Sequence, residues 1–167
     1  MYSAVVEKAS EIQEAVRFAR KHDLRLAVKA SGHDFLGRSM APRSLQIATG
    51  NLKGIEFADD FVPKGCRGRK CGEGPAVTVQ SGVTLQELYE QVFERGRTVV
   101  AGMSHTVVAA GGYIQGGGHS PLGPSKGMAS DNALEFEVVT ANVSLPKPSA
   151  LTALFPNLFP GETRRCK

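Results

Sequence analysis

Leu24-Arg25-Leu26-Ala27-Val28-Lys29-Ala30-Ser31-Gly32-His33-Asp34-Phe35-Leu36-Gly37-Arg38-Ser39 opens as a strand and breaks into a small-residue turn. Its first five residues have the apolar, branched character of a strand. The turn then sets His33 and Asp34 between two glycines. Glycine admits positive φ and lets a backbone approach a ligand with no Cβ in the way. A loop of free N–H groups after a strand can solvate phosphate oxygens. Upstream, Ser10-Glu11-Ile12-Gln13 has the form of a capping box. Ile12, Ala15, Val16 and Ala19 then recur at helical spacing, which predicts a helix ending near His22-Asp23. With a short strand at Ala4-Val5-Val6 the segment reads as β-α-β, a unit whose crossover makes its two strands parallel.

Downstream, apolar pieces stand at Leu45-Gln46-Ile47 and Ile55-Glu56-Phe57, followed by a polar Gly- and Lys-rich loop over 60–75. Ala76-Val77-Thr78-Val79-Gln80 predicts a strand. Thr84-Leu85-Gln86-Glu87 is a second capping box, with Leu85, Leu88, Tyr89 and Val92 as its buried stripe and Gly96 as its stop. A short strand is predicted over 97–100 and an alternating one over 134–140. After Ala141 the character changes: four of the nine prolines lie in the last 25 residues, and no helical or strand period is visible. Residues 142–167 are therefore expected to be an irregular tail.

Nineteen of the 167 residues are glycine, above the usual share of about 7 %. Eight of them fall between Gly102 and Gly127, so the excess is local. The apolar share of 41 % and charged share of 22 % are those of an ordinary globular domain. No G-x-y period and no run of 18 apolar residues occurs, which excludes collagen and a membrane-spanning helix. The net charge of +4 (20 basic minus 16 acidic) is too mild and too scattered to mark a nucleic-acid face, so neither a nucleic-acid nor a membrane partner is expected. Cys66 and Cys71 form C-x4-C, which suits a loop disulfide or half a metal site, but no second ligand pair stands at zinc-site spacing. No metal is expected. The N-terminal residues have neither the basic nor the apolar region of a signal peptide.

Gly32-His33-Asp34-Phe35-Leu36-Gly37-Arg38-Ser39 nearly matches the nucleotide loop G-x-x-x-x-G-K-[ST], with Arg38 where lysine is required. A P-loop-like nucleotide-binding module is thus one reading, and an ordinary turn with exposed His33 is another. The stretch Gly111-Gly112-Tyr113-Ile114-Gln115-Gly116-Gly117-Gly118-His119 lacks the G-x-G-x-x-G of dinucleotide-binding sheets. Three consecutive glycines cost conformational entropy, which argues for more than a turn.

These motifs occur in one order: Lys29-Ala30-Ser31-Gly32-His33-Asp34; Gly82-Val83 before a helix; the 111–119 stretch; and Gly127-Met128-Ala129-Ser130-Asp131-Asn132 followed by Glu135-Phe136-Glu137-Val138-Val139-Thr140-Ala141. Together they resemble the FAD-binding (PCMH-type) domain of the vanillyl-alcohol-oxidase and berberine-bridge-enzyme-like family. The fungal oxygen-dependent FAD-linked oxidoreductases are nearest in character. The resemblance implies an α+β fold over 1–141, with an N-terminal β-α-β subdomain (about 1–60) and a mixed or antiparallel sheet with a flanking helix (about 75–141). FAD would lie between the two.

The resemblance further implies that Ala30, Ser31, Gly32, His33, Asp34 and Phe35 hold the pyrophosphate. His33 would bond covalently to the flavin 8α-methyl, raising the flavin's potential for hydride abstraction from alcohol- or amine-type carbons, with oxygen as acceptor. Related chains add a cysteinyl link at the position occupied here by Ser104, whose hydroxyl cannot replace a thiolate, so one covalent bond at most is expected. Gly102, Thr106, Gly111, Gly112, Gly116, Gly117, Gly118 and His119 would line the ring and ribityl chain, and Ala129, Asp131 and Val138 the adenosine side. His119 and Asp131 also read as plain turn caps, and His105 as a neutral loop histidine. The family's acidic-aromatic helix and substrate domain are not encoded after Ala141. The chain therefore reads as a truncated or mis-spliced product, with a non-catalytic remnant as the alternative to a flavin-binding oxidoreductase domain, or as one with a novel tail. The catalytic base and the substrate are left unassigned. Intact fungal relatives are often secreted, so the compartment stays open.

Overall fold

The computed structural model describes residues 1–63 and 74–142 in full and, as backbone, the strands over 152–156 and 159–160. Cys66, Cys71 and Cys166 lie outside the described residues. The chain runs β1 (Tyr2–Val5), α1 (Ala9–Lys21), β2 (Arg25–Lys29), β3 (Ser44–Ala48), β4 (Ile55–Ala58), β5 (Ala76–Gln80), α2 (Leu85–Phe93), β6 (Arg97–Thr98), a short broken helical segment (Ala109–Tyr113), α3 (Gly123–Lys126), a 3-10 turn (Ser130–Asn132), β7 (Phe136–Glu137), β8 (Thr152–Pro156) and β9 (Phe159–Pro160).

Three strands form the first sheet, in the order β1-β3-β2, all parallel. The outer two are the expected β-α-β pair, but β3 lies between them. Tyr2 pairs with Leu45 on one side of it and Leu26 with Leu45 on the other. The central place explains why Ser44, Gln46 and Ile47 are all buried. Val6, Ala15, Ile47 and Leu52 form the core beneath α1, with Ile12, Val16 and Leu45 packed against it.

α1 begins at Ala9, and Ser10 does not cap it. Lys8 is the N-cap, and its side chain makes no capping bond. The Glu11 carboxylate accepts from the Glu7 amide at 2.7 Å instead, a favourable place for an anion near the positive end of a helix. The helix ends as expected: Asp23 takes a φ of 50° and the Leu24 amide returns to the Ala19 carbonyl at 2.9 Å.

The second sheet is antiparallel, in the order β4-β5-β8-β7. Two expectations change here. Ile55–Ala58 pairs with β5, so sheet membership switches between Ala48 and Ile55 rather than near residue 60. The tail after 142 is not wholly irregular: β8 pairs with both β5 and β7, and β9 pairs with β6. A proline at each strand's end hides that pattern from a periodicity reading. The strands expected over 97–100 and 134–140 are two paired residues each, Arg97–Thr98 against β9 and Phe136–Glu137 against β8. Val77, Val79, Leu85, Leu88, Val92, Ala109, Ala110 and Ile114 are among the residues of the second core.

Candidate functional site

The connection from β2 to β3 spans 30–43 without a helix and leaves from the carboxyl end of β2. Open sheets of parallel strands take their ligands at that end. Asp34 organises the connection. Its Oδ1 accepts two bonds from the Arg38 guanidinium, at 2.9 and 3.1 Å. Its Oδ2 accepts from the backbone amides of Arg38 and, at 3.3 Å, Ser39. Arg38 accordingly holds the Asp34 carboxyl below its ordinary value, and its own guanidinium is held above. No helix opens after Ser39. The phosphate-loop alternative lacks the helix that such a loop must precede, and its would-be phosphate cation is already paired.

Facing this loop is the glycine-rich stretch. α2 fixes its near edge through the second capping box, which forms as expected: Thr84 Oγ1 accepts from the Glu87 amide at 3.3 Å, and the Glu87 carboxylate accepts from the Thr84 amide at 2.7 Å. Burial pushes Glu87 up, but bonds from Lys53 and Thr84 outweigh it and hold the group below its ordinary value. Tyr113 fills the space behind the glycines and donates its hydroxyl to the His119 carbonyl at 2.8 Å. Burial and the neighbouring Tyr89 push its phenol up to about 12. Gly118 needs its missing side chain: at a φ of 72°, an added Cβ would stand 2.7 Å from the Tyr113 ring and 2.8 Å from Ala129 Cβ.

Between the two loops lies a cleft of about 760 Å³, within the common range for small-molecule sites of about 300–1,000 Å³. Ten of the eighteen residues expected to bind cofactor line it: Ala30, Ser31, Gly32, His33, Asp34, Phe35, Ser104, Gly112, Gly116 and His119. Thr106 is not in the lining, but its Oγ1 lies 2.7 Å from His33 Nε2, so the two walls touch there. Gly102, Gly111, Gly117 and Gly118 stand behind the wall. Gly111 allows close approach to Ala30, whose Cβ would lie 2.9 Å from a Cβ added there. Ala129, Asp131 and Val138 are also outside the lining. Ala129 is fully buried, and Asp131 accepts from the Met128 amide at 2.8 Å, the turn-capping arrangement. Val28, Arg38, Ser39, Val107, Val108, Tyr113 and Gln115 line the cleft without having been singled out as binding residues. For Val28 and Val107 the only signal was position beside a motif.

The lining suits a large, phosphate-bearing cofactor. At Gly112 an added Cβ would meet no protein atom, so bare backbone faces open space. Gly32 takes a φ of 90° in the opposite loop, a conformation that favours glycine. A family model for an FAD binding domain matches residues 2–145.

The chain belongs to the FAD-binding domain family. It is 60% identical over 141 residues to an uncharacterised FAD-linked oxidoreductase of Arthroderma benhamiae, covering 84% of this chain and 24% of that protein. To the FAD-linked oxidoreductase malF of Malbranchea aurantiaca it is 49% identical over 144 residues, covering 86% of this chain and 24% of that protein. Among solved structures it resembles the VAO-type flavoprotein MtVAO615 of Myceliophthora thermophila C1, with a TM-score of 0.79 at 33% identity over 90% of this chain and 31% of the other. 6-Hydroxy-D-nicotine oxidase of Arthrobacter nicotinovorans shares the fold, with a TM-score of 0.74 at 20% identity over 92% of this chain and 35% of the other. This is an α+β FAD-binding domain with the fold of VAO-type flavoproteins. It spans about a quarter of the length of the curated relatives it matches.

Proposed function

We propose that residues 1–141 act as one two-lobed unit holding FAD in the cleft, with a single covalent bond through His33. The observation that carries this reading is the meeting of His33 with the glycine-rich wall, Nε2 to Thr106 Oγ1 at 2.7 Å, at a cleft lined by bare backbone. Backbone amides of 30–35 would hold the pyrophosphate, and Gly112, Gly116, Ser104 and His119 would flank the ring and ribityl chain. For Ala129, Asp131 and Val138 an adenosine-side role rests on the resemblance alone. Bound FAD supplies a two-electron acceptor for hydride from an alcohol- or amine-type small molecule in the whole protein, with electrons passing on to oxygen. The chain's own part is to bind, orient and tether.

A second reading, flavin binding without turnover, is favoured by the ionisable groups of the lining. Among the described residues its one carboxylate is Asp34, committed to Arg38. Its one phenol is Tyr113, with its proton held by the His119 carbonyl and a pKa near 12. Neither is a base at neutral pH, and of the two imidazoles in the lining His33 is taken up by the proposed tether, which leaves His119 as the one remaining candidate.

The test is to purify the chain, precipitate it with acid and look for flavin in the pellet. Acid-stable flavin is expected in the wild type and absent in His33→Ala. Peptide mass mapping should place the adduct on the peptide carrying His33 and none on the one carrying Ser104. Flavin that stays in the acid pellet of His33→Ala would sink the linkage. Stoichiometric flavin without oxidation of any alcohol or amine offered would support the second reading.

A further inference from the structure

We infer that Thr106 is a positioning residue for His33: its hydroxyl engages Nε2, fixes the imidazole's rotamer, and leaves Nδ1 as the nitrogen available to the cleft. The importance of this role rests on the covalent reading of His33, whereas its substance rests on the hydrogen bond itself. A hydroxyl pairs with a ring nitrogen as donor or as acceptor, so the bond holds the ring's orientation in either tautomer.

The direction of control follows from what holds each partner. Helix α2 clamps the segment around Thr106. The Leu85 amide donates to the Val107 carbonyl at 2.8 Å and the Gln86 amide to the His105 carbonyl at 3.1 Å. Two first-turn amides that a helix leaves without internal partners are thus satisfied by the residues on either side of Thr106. The Val107 amide closes back on the Ser104 carbonyl at 3.1 Å, and Thr84 bridges to Val108. The hydroxyl is therefore presented from a fixed backbone. His33 sits exposed in the helix-free connection after β2, so the imidazole is the partner that adjusts. The separation of 73 positions makes the bond a link between the two walls of the cleft.

The test uses the full chain labelled with 15N-histidine, free of flavin, at about pH 8.5, above the ordinary imidazole range. Long-range 1H–15N correlations should show Nε2 of His33 as the hydrogen-bonded ring nitrogen in the wild type. Thr106→Val keeps the branched shape and deletes the hydroxyl, and should shift the His33 ring signals while leaving those of His22 and His119 unchanged. Thr106→Ser should restore the wild-type pattern. On mixing with FAD, Thr106→Val should attach flavin about fivefold more slowly than wild type, the scale of one neutral hydrogen bond, with Thr106→Ser close to wild type. Unchanged His33 shifts in Thr106→Val would overturn the inference, as would serine behaving like valine. If the wild type forms no acid-stable flavin, the covalent reading of His33 falls, and the comparison of the His33 ring signals still decides the role of Thr106.

Discussion

Single residues decide how closely the two walls of the cleft approach. Gly118 combines a φ of 72° with hard neighbours, the Tyr113 ring and Ala129 Cβ. Gly118→Ala should therefore lose about 2–3 kcal/mol of stability, read as a lower urea midpoint, and should weaken FAD binding. Tyr113→Phe keeps the ring that fills this space but drops the bond to the His119 carbonyl. It should cost about 1 kcal/mol and affect flavin binding less than Gly118→Ala does. At this scale the sequence was readable wherever a residue type is itself the signal. The glycine cluster and His33 stood out because few other side chains could serve there. Thr106 was named through the resemblance, but its bond to His33 was not legible, since no local pattern joins residues 73 positions apart.

Elements show the same division. Both capping boxes were visible as strings, yet only Thr84–Glu87 forms. The difference lies in what surrounds them: Lys53 pins Glu87 at 2.8 Å, whereas at α1 Glu11 captures an amide from outside the helix and the N-cap lies two residues earlier, at Lys8. Asp34 and Glu87 both have folded pKa values below their ordinary ones. Each therefore contributes stability that is fully present above the unfolded carboxylate range, about 4, and that is lost as pH falls through the folded pKa. A melting temperature that drops on acidification below about pH 4.5 is expected, with a shallower drop in Glu87→Gln. An equally steep acid limb in that variant would remove Glu87 from the account. β3 was visible only as a short apolar piece, because Ser44 and Gln46 are buried polar residues in a central strand. Their place is set by hydrogen bonds that the string does not show, Ser44 to the Ala41 carbonyl and Gln46 to the Ser39 carbonyl.

Across the whole molecule, two cores meet where Thr49 Oγ1 donates to the Ser81 carbonyl and the Gly82 amide donates to the Leu52 carbonyl. FAD bridging the same two halves should stabilise both together. Free FAD at a hundredfold over its Kd should add about 2.7 kcal/mol, seen as one cooperative melt moving upward, and a flavin-insensitive melt would contradict binding across the cleft. The fold class was readable at this scale because four motifs in a fixed order constrain a topology better than any one of them does. The strands β8 and β9 were not, since their pairing depends on partners far upstream. The position of β3 has a consequence for synthesis. It leaves the ribosome after both of its neighbours, yet it must sit between them. A nascent chain that has exposed β1, α1 and β2 holds an unfilled slot, and the His33 loop has only one anchored end. The loop gains its second anchor when Ser44–Ala48 slides into place. A ligand that needs both the His33 loop and the glycine-rich wall therefore cannot be captured before that insertion.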